Sequence, residues 1–355
     1  WAFGDGTSAI GPEAVHHYAH SGGYRVQLTV IGAGHRQAVS EVNLSLAGAS
    51  GRPQPVPVFV NGSEGYACYR IPAIVCAANG DLLAFAEGRR DSCSDSTPVI
   101  DIVSRRSTDH GATWGPVQRV AQHGDQALMN PSPVVDTARG TGRIVLLYNA
   151  MTANEWALAR GEGRNRTFCV VSADQGVTWS APQDISAQIG AGRDWRIQRP
   201  TLGHAAQRAG GRIIHVSTIT EGGASVFDSQ NVVVWSDDLG GTWQHAQPCP
   251  VIGLNEATAV VLGDGAVLIN SRAYTGGKPA GHRALTRARF TADDTVHYEE
   301  TIYAPALVDP AVQASTLRIT TGRGPVILFS NPAHPEARRR LTVRASFDEG
   351  VTWPA

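Results

Sequence analysis

Several arginines and acidic residues in this sequence lie at the edges of short apolar segments, where side chains can be held in fixed positions. Arg70 stands in the segment Tyr-Arg-Ile-Pro-Ala-Ile, Arg272 follows Glu256 by sixteen residues, and a run of three arginines begins at Arg338. A guanidinium group binds a carboxylate bidentately and keeps its charge, whereas a carboxyl group such as that of Asp95 can transfer protons. These residue types suit a site that binds an anionic ligand and transfers a proton.

The composition is that of a folded protein without a strong overall charge. The chain has 355 residues, of which 42% are hydrophobic and 17% are charged, so it can bury a core. Its 30 basic and 31 acidic residues give a formal charge of −1, which argues against bulk binding to nucleic acid or anionic lipid. No apolar run reaches the length of a membrane span.

One motif, Ser-x-Asp-x-Gly-x-Thr-Trp, occurs four times, at residues 107–114, 172–179, 236–243 and 346–353. Successive copies begin 65, 64 and 110 residues apart, so the last interval fits two units. Repeats of this length indicate a solenoid or a propeller. Short apolar segments separate the copies and predict about four strands per unit, as in a propeller blade. These segments include residues 143–148, 212–216 and 266–269.

The motif has a structural explanation. Its aspartate can accept bonds from backbone N–H groups across a tight turn, its glycine supplies a positive φ, and its tryptophan covers the turn. We therefore expect no catalytic role for these residues. The motif is similar to the Asp-box hairpin of sialidases and of a few other propeller families, so by itself it does not specify a sialidase.

The segment around Arg70 is more specific, because it resembles the Arg-Ile-Pro signature in the first strand of the sialidase propeller. The likeness extends over residues 55–355 and implies an all-β, six-bladed β-propeller of the bacterial exo-α-sialidase family. In that family three arginines bind the carboxylate of sialic acid. The resemblance assigns these roles to Arg70, Arg272 and Arg338, with Arg339 as the alternative third member. Residues 338–340 also fit a simple exposed basic run.

The resemblance also assigns the residues that carry the chemistry. Asp95 lies 25 residues after Arg70, where the family has its general acid/base, and Asp91 and Asp101 are competitors for the role. Glu256 matches the glutamate that hydrogen-bonds the catalytic tyrosine. Arg89 matches an arginine near the 4-hydroxyl of the substrate. No metal and no cofactor are expected.

The family's nucleophile is a tyrosine, which carries less charge than a carboxylate and so avoids bringing a second anion to a carbon that already bears one. It normally lies some tens of residues past the last Asp box, but this sequence stops at Ala355. Neither Tyr298 nor Tyr303 fits that position. We expect the chain to be cut within the last blade and to hydrolyse sialosides poorly by itself.

The five cysteines are scattered and contain no CxxC pair, so a zinc site is not expected. One disulfide is possible, and Cys68 with Cys93 is the first pair to test. Buried free thiols are an equally good interpretation.

The N-terminal part differs from the propeller in its pattern. Residues 1–48 resemble the second half of a PKD module, an Ig-like β-sandwich, with Val26, Leu28 and Val30 alternating along a half-buried strand. Residues 49–57 predict a proline-rich linker, and residues 58–355 the propeller. A plain N-terminal extension of the propeller is the alternative.

The resemblance implies a secreted, monomeric enzyme that hydrolyses terminal sialic acids from glycans, glycoproteins or glycolipids with retention. A non-catalytic sialoglycan-binding propeller, a trans-sialidase, and a hydrolase for a related sugar acid or a neutral glycan are alternatives. Asp95 and Glu256 favour an enzyme, and the arginines argue against a neutral sugar. The segment from Arg199 to His204 departs from the Gly-Pro-Gly stretch of many bacterial sialidases, and His204 either lines the pocket or is structural.

Overall fold

The computed structural model describes residues 1–16, 18, 22–31, 37–46, 55–96, 98–124, 126–322 and 324–354. Two compact units make up the chain, Trp1–Pro57 and Val58–Ala355. The predicted linker at residues 49–57 falls largely on residues 49–54, which lie outside the described residues. No helix in the described part of the chain has the length and apolar character needed to cross a bilayer.

The first unit contains an antiparallel hairpin of β1 (Gly22–Ile31) and β2 (Gln37–Leu46). Val26 and Leu28 are half-buried as predicted, but Val30 is exposed. Ahead of the hairpin, Phe3 is buried and its ring stacks on His16 at 4.1 Å between centroids. A small aromatic cluster therefore anchors the N-terminal segment.

The second unit contains sheets of eight, five, six and three strands. The eight-stranded sheet divides into two four-stranded antiparallel halves, so the described strands group into five blades, which we call blades 1 to 5. Blade 1 contains β3 (Cys68–Cys76), β4 (Leu82–Arg89), β5 (Ile100–Ser107) and β6 (Gln118–Ala121). Blade 2 contains β7 (Ala127–Val135), β8 (Ile144–Met151), β9 (Asn165–Ser172) and β10 (Gln183–Asp184), with helices α1 (Glu155–Ala159) and α2 (Ser186–Ile189). A single parallel pair, Ile100 with Ala127, joins these two blades.

The remaining blades repeat the pattern. Blade 3 contains β11 (Trp195–Pro200), β12 (Ala206–Gln207), β13 (Ile213–Glu221), β14 (Gln230–Ser236) and β15 (Gln244–His245). Blade 4 contains β16 (Leu254–Val261), β17 (Val267–Thr275), β18 (Lys278–Pro279), β19 (His282–Phe290), β20 (Val296–Tyr298) and β21 (Ile302–Val308). Blade 5 contains β22 (Ser315–Thr321), β23 (Gly324–Pro332) and β24 (Leu341–Ser346).

The hydrophobic core lies between successive blades. Phe85 of blade 1 packs in one cluster with Leu146 and Phe168 of blade 2, and similar clusters join each later blade to the next. This continuous packing of β-sheets confirms the predicted all-β propeller class. The described residues form five blades, so the count of six stays a prediction.

Each Asp box forms the same turn at the end of a strand, after β5, β9, β14 and β24. In the third copy, both the backbone N–H and the hydroxyl of Thr242 donate to the Asp238 carboxylate at 2.8 Å. Gly240 has a φ of 96°, and the Trp243 indole is buried and donates to the Gly240 carbonyl. The other three copies repeat the two threonine–aspartate bonds. The structural interpretation of the motif is therefore confirmed.

Candidate active site

A cleft of about 660 Å³ gathers side chains from all five blades. Five of the six predicted site residues line it: Arg70, Asp95, Glu256, Arg272 and Arg338. They come from β3, the loop after β4, β16, β17 and the loop before β24, so no local segment could bring them together. The propeller itself forms the site.

Irregularities in the first strands of the blades turn side chains toward this cleft. The register of β3 shifts between Arg70 and Ala73, and that of β7 shifts between Met129 and Ser132. The bulged residues Ile71 and Asn130 have φ values of 55° and 60°, in the left-handed region, and both line the cleft. Bulges next to active sites commonly re-aim side chains, and a β-branched residue at positive φ stores strain that the surrounding fold must hold.

Charges in the cleft are arranged as three ion pairs and one additional arginine. Arg70 pairs with Asp95 at 2.6 Å, Arg272 pairs with Glu256 at 2.8 Å, and Arg199 pairs with Glu155. Arg338 lines the same cleft and makes no ion pair with the described residues. The lining therefore carries one net positive charge, which suits a ligand with a single carboxylate.

Asp95 lies in the loop between β4 and β5, and its side chain is 69% exposed. Its Oδ1 atom accepts hydrogen bonds from Arg70 at 2.6 Å and from Arg89 at 2.8 Å. The competitors differ: Asp101 is buried in β5 against Tyr66 and Arg90, and Asp91 is absent from the cleft lining. The geometry therefore places Asp95, and neither competitor, at the cleft.

Arg89 differs from its prediction as a substrate contact. Its side chain is 0% exposed and is absent from the cleft lining. Its guanidinium group donates hydrogen bonds to Glu87, to the Cys93 carbonyl and to Asp95. Burial raises the pKa of Glu87 to about 7, and the adjacent Arg89 guanidinium opposes this rise. In this structure Arg89 therefore binds the proposed acid, Asp95, and does not face the space where a substrate would lie.

Glu256 and Arg272 form the opposite side of the site. Burial disfavours the charged form of Glu256, but the guanidinium groups of Arg272 and Arg199 outweigh it, so the pKa of Glu256 lies below its usual value. Arg272 also donates to the hydroxyl of Tyr274. Of the described tyrosines, Tyr274 lines the cleft, whereas Tyr298 and Tyr303 do not. Sequence reasoning had not considered Tyr274.

Helix α1 forms one wall of the cleft, which the sequence motifs do not predict. Asn154 caps this helix by accepting from the Ala157 N–H at 3.0 Å, which sets Glu155 and Trp156 against the cleft. Trp156 is 53% exposed and its ring meets Phe227 edge-on. Arg199 links Glu155 to Asn255, the neighbour of Glu256.

Further residues complete the lining of the cleft, whereas two residues considered from the sequence lie outside it. Asn130, Val312 and Gln313 line the cleft. His204 does not, and in its segment Arg199 takes that place. Arg339, the alternative third arginine, instead contacts His334 at 2.6 Å.

A disulfide joins Cys68 at the start of β3 to Cys93 in the loop that carries Asp95. Of the two interpretations of the cysteines, the disulfide between Cys68 and Cys93 is therefore the one that the structure contains. Cys76, Cys169 and Cys249 are free.

Comparisons with known proteins identify the families of the two units. Residues 80–355 match the family model of the BNR repeat-like domain, and residues 1–45 match that of the PKD domain. A sialidase of Micromonospora viridifaciens is 33% identical over 92% of this chain and 51% of its own length. A sialidase of Bacteroides fragilis is 25% identical over 82% of this chain and 55% of its own length.

Among solved structures, the Hadza microbial sialidase Hz136 superposes with a TM-score of 0.74 at 26% identity, covering 90% of this chain and 65% of that one. The chain spans about half the length of the two curated relatives. The chain belongs to the BNR repeat-like family that includes the bacterial sialidases, and it carries a partial PKD module ahead of the propeller.

Proposed function

We propose that this chain provides the substrate-binding and acid/base residues of an exo-α-sialidase that releases terminal sialic acids from glycans. The observation that carries the proposal is the convergence of Arg70, Arg272 and Arg338, from three different blades, on one cleft that also holds Asp95 and Glu256. A neutral sugar would give three guanidinium groups no anion to bind. Sialic acid bears a carboxylate on the carbon at which the bond is broken.

Binding of the substrate would begin with its carboxylate. Arg338 can bind the substrate carboxylate directly, since this guanidinium has no ion-pair partner among the described residues. Arg70 is held by Asp95 in the empty cleft, and a substrate carboxylate can take over that contact. The exchange would leave Arg89 as the arginine bound to Asp95 and would free, for the glycosidic oxygen, the side of the carboxyl group that Arg70 had occupied.

Asp95 would then act as the general acid. It would donate a proton to the glycosidic oxygen as the bond to the anomeric carbon breaks, and would later take a proton from the attacking water. Arginines that already face the carboxylate need no reorganisation during this step, which is the condition for electrostatic stabilisation.

Retention requires a nucleophile, which in sialidases is a tyrosine. Tyr274 lines the cleft, but its hydroxyl accepts from Arg272 and makes no hydrogen bond with Glu256. We assign Tyr274 to the positioning of Arg272 and leave the nucleophile unassigned among the described residues.

The alternative is a propeller that binds sialoglycans without chemistry. Replacing Asp95 by Asn in the intact enzyme separates the two. An enzyme should lose about 10²–10⁴-fold in turnover of sialyllactose, the usual contribution of an acid/base group, and keep its affinity for 2,3-didehydro sialic acid. Asp91→Asn, a change in the same loop outside the cleft, is the matched control.

The stereochemistry gives an independent test. Proton NMR during hydrolysis of sialyllactose should show the α-anomer of free sialic acid first, followed by slow mutarotation to the β-anomer. First appearance of the β-anomer would contradict a double-displacement mechanism. Absence of both turnover and sialic acid binding would refute the proposed function.

We further propose that the protein is secreted and monomeric. Disulfides persist in oxidising, extracellular environments, and the Cys68–Cys93 bond supports that location. Fractionation of the producing cells and light scattering of the purified protein test the two statements separately.

A further inference from the structure

In the described part of the loop that carries Asp95, few backbone hydrogen bonds hold the chain in place. Between β4 and β5, residues 90–96, 98 and 99 have no regular secondary structure, and residues 91–96 are exposed. At the base of the loop, the Arg90 N–H donates to the Val99 carbonyl at 3.4 Å. Ser92 and Ser94 accept hydrogen bonds from the backbone N–H groups of Ser94 and Ser96, two residues further along the loop. Such a segment would not hold a catalytic side chain in place by its own backbone bonds.

Two arginines and one covalent bond hold the tip of the loop. Arg70 and Arg89 both donate to the Cys93 carbonyl, at 3.3 Å and 2.7 Å, and both donate to the Asp95 carboxylate. The disulfide ties Cys93 to Cys68. Cys68 lies directly opposite Arg89 in the register of β3 and β4.

Substrate binding removes one of these anchors. Under the proposed function, Arg70 turns from Asp95 and the Cys93 carbonyl to the carboxylate of the sugar. Arg89 and the disulfide then remain. A cross-link that closes a loop restricts the conformations open to it, so the disulfide restrains Asp95 most when the acid is needed.

We propose that the Cys68–Cys93 disulfide positions Asp95 for proton transfer, and that its reduction weakens this transfer while leaving the arginine cluster able to bind an anionic sugar. The inference rests on the proposed function. In the reduction, a dithiol reductant supplies two electrons and two protons, the Sγ–Sγ bond breaks, and two cysteine thiols and the oxidised cyclic reductant result. Cys93 belongs to the exposed loop, so the reductant can reach it.

The first experiment compares amide hydrogen exchange in the chain and in the double variant Cys68→Ser/Cys93→Ser. Amides of residues 91–96 should exchange about 10-fold faster or more in the variant, because the tether that opposes local opening is lost. The difference should grow when 2,3-didehydro sialic acid is bound. Amides of β8 and β13 should be unchanged, and Cys76→Ser is the matched control.

The second experiment measures proton transfer in the intact enzyme through the leaving group. Sialyllactose needs the acid, whereas 4-methylumbelliferyl sialoside has a leaving group that departs with little help. The double variant should lose about 10-fold or more in kcat on sialyllactose, within the usual range for an acid/base group, and much less on the activated substrate. Its affinity for 2,3-didehydro sialic acid should stay the same.

Unchanged exchange in residues 91–96, or equal loss on both substrates, overturns the inference. If the double variant does not fold, the same comparison is made on wild-type protein treated with dithiothreitol. Failure of the wild type to bind sialic acid would count against the proposed function, and the exchange of the unliganded loop would still decide whether the disulfide restrains Asp95.

Discussion

The Nη1 atom of Arg70 lies 2.6 Å from the Oδ1 atom of Asp95, so in the empty cleft the proposed acid occupies the arginine that the substrate would need. Three of the four arginines in the cleft have their charge neutralised by an ion pair. These pairs are Arg70 with Asp95, Arg272 with Glu256 and Arg199 with Glu155. The positive charge that remains is that of Arg338. Four predictions follow from these contacts and from one buried histidine outside the cleft.

Arg338 should contribute most directly to the binding of the carboxylate, because no internal ion pair must be broken first. Arg338→Ala should weaken the binding of 2,3-didehydro sialic acid by about 10- to 100-fold, since a hydrogen bond to a charged group contributes about 1.5–3 kcal/mol. Isothermal titration calorimetry measures this. Arg339→Ala, in the same run but outside the cleft lining, is the control and should bind normally. Equal losses in both variants would mean that the run acts only as a diffuse positive charge.

Arg199 should stabilise the cleft wall mainly through Glu155. Arg199→Met leaves the partly exposed Glu155 carboxylate without its partner and should lower the free energy of unfolding by about 2–3 kcal/mol, below the 3–5 kcal/mol of a fully buried pair. The double variant Arg199→Met/Glu155→Gln should recover part of that loss. Urea unfolding of both single variants and of the double variant gives the coupling energy. Strict additivity of the two changes would contradict the pairing.

Substitution of Tyr274 distinguishes between two roles for this residue, the positioning of Arg272 and nucleophilic attack. Tyr274→Phe removes the hydroxyl that accepts from Arg272. It should raise KM or the inhibitor Kd by roughly 10-fold or less, below the full effect of a hydrogen bond to a charged group, because this bond orients Arg272 and does not itself contact the ligand. Covalent labelling of the intact enzyme by 2,3-difluorosialic acid, read by mass spectrometry, should persist in the variant. Loss of labelling in Tyr274→Phe but not in Tyr303→Phe would make Tyr274 the nucleophile.

His215 should make the fold sensitive to acid. Burial lowers the pKa of this histidine from 6.5 to about 3. Between these two pH values the unfolded chain binds a proton that the folded protein does not, so stability falls as pH decreases. The loss should approach about 1.4 kcal/mol for each pH unit.

His215→Gln should flatten this dependence. Urea unfolding at a series of pH values from 7 to 4 measures it, and the exposed His297→Gln is the control. The same slope in His215→Gln as in the wild type would show that other groups cause the acid sensitivity.

Features with local signals could be predicted from the sequence. The Asp boxes were identified because each one is a self-contained turn whose bonds join residues four positions apart, such as Asp238 and Thr242. Three of the four cleft arginines, Arg70, Arg272 and Arg338, were predicted from family motifs. The location of Arg89 could also have been foreseen: Glu87 and Arg89 stand two positions apart in a strand and so project to one face, where they pair.

Features that depend on distant contacts gave no such signal. Glu155, Trp156 and Arg199 line the cleft because the fold brings the helix after β8 against β11. Nothing in the flanking residues of Arg199 indicates its partner. Tyr274 is different, because it follows Arg272 by two positions in β17 and the alternation of side chains along a strand predicts that both face the cleft.

The central claim is that the guanidinium groups of Arg70, Arg272 and Arg338 recognise one carboxylate. The most direct measurement is calorimetric titration of the chain with 2,3-didehydro sialic acid and with its methyl ester, which keeps every other group of the sugar. The account predicts measurable binding of the acid and at least about 100-fold weaker binding of the ester, because charge-assisted hydrogen bonds to the carboxylate are lost. Equal affinity for acid and ester, or no binding of the acid, would contradict it.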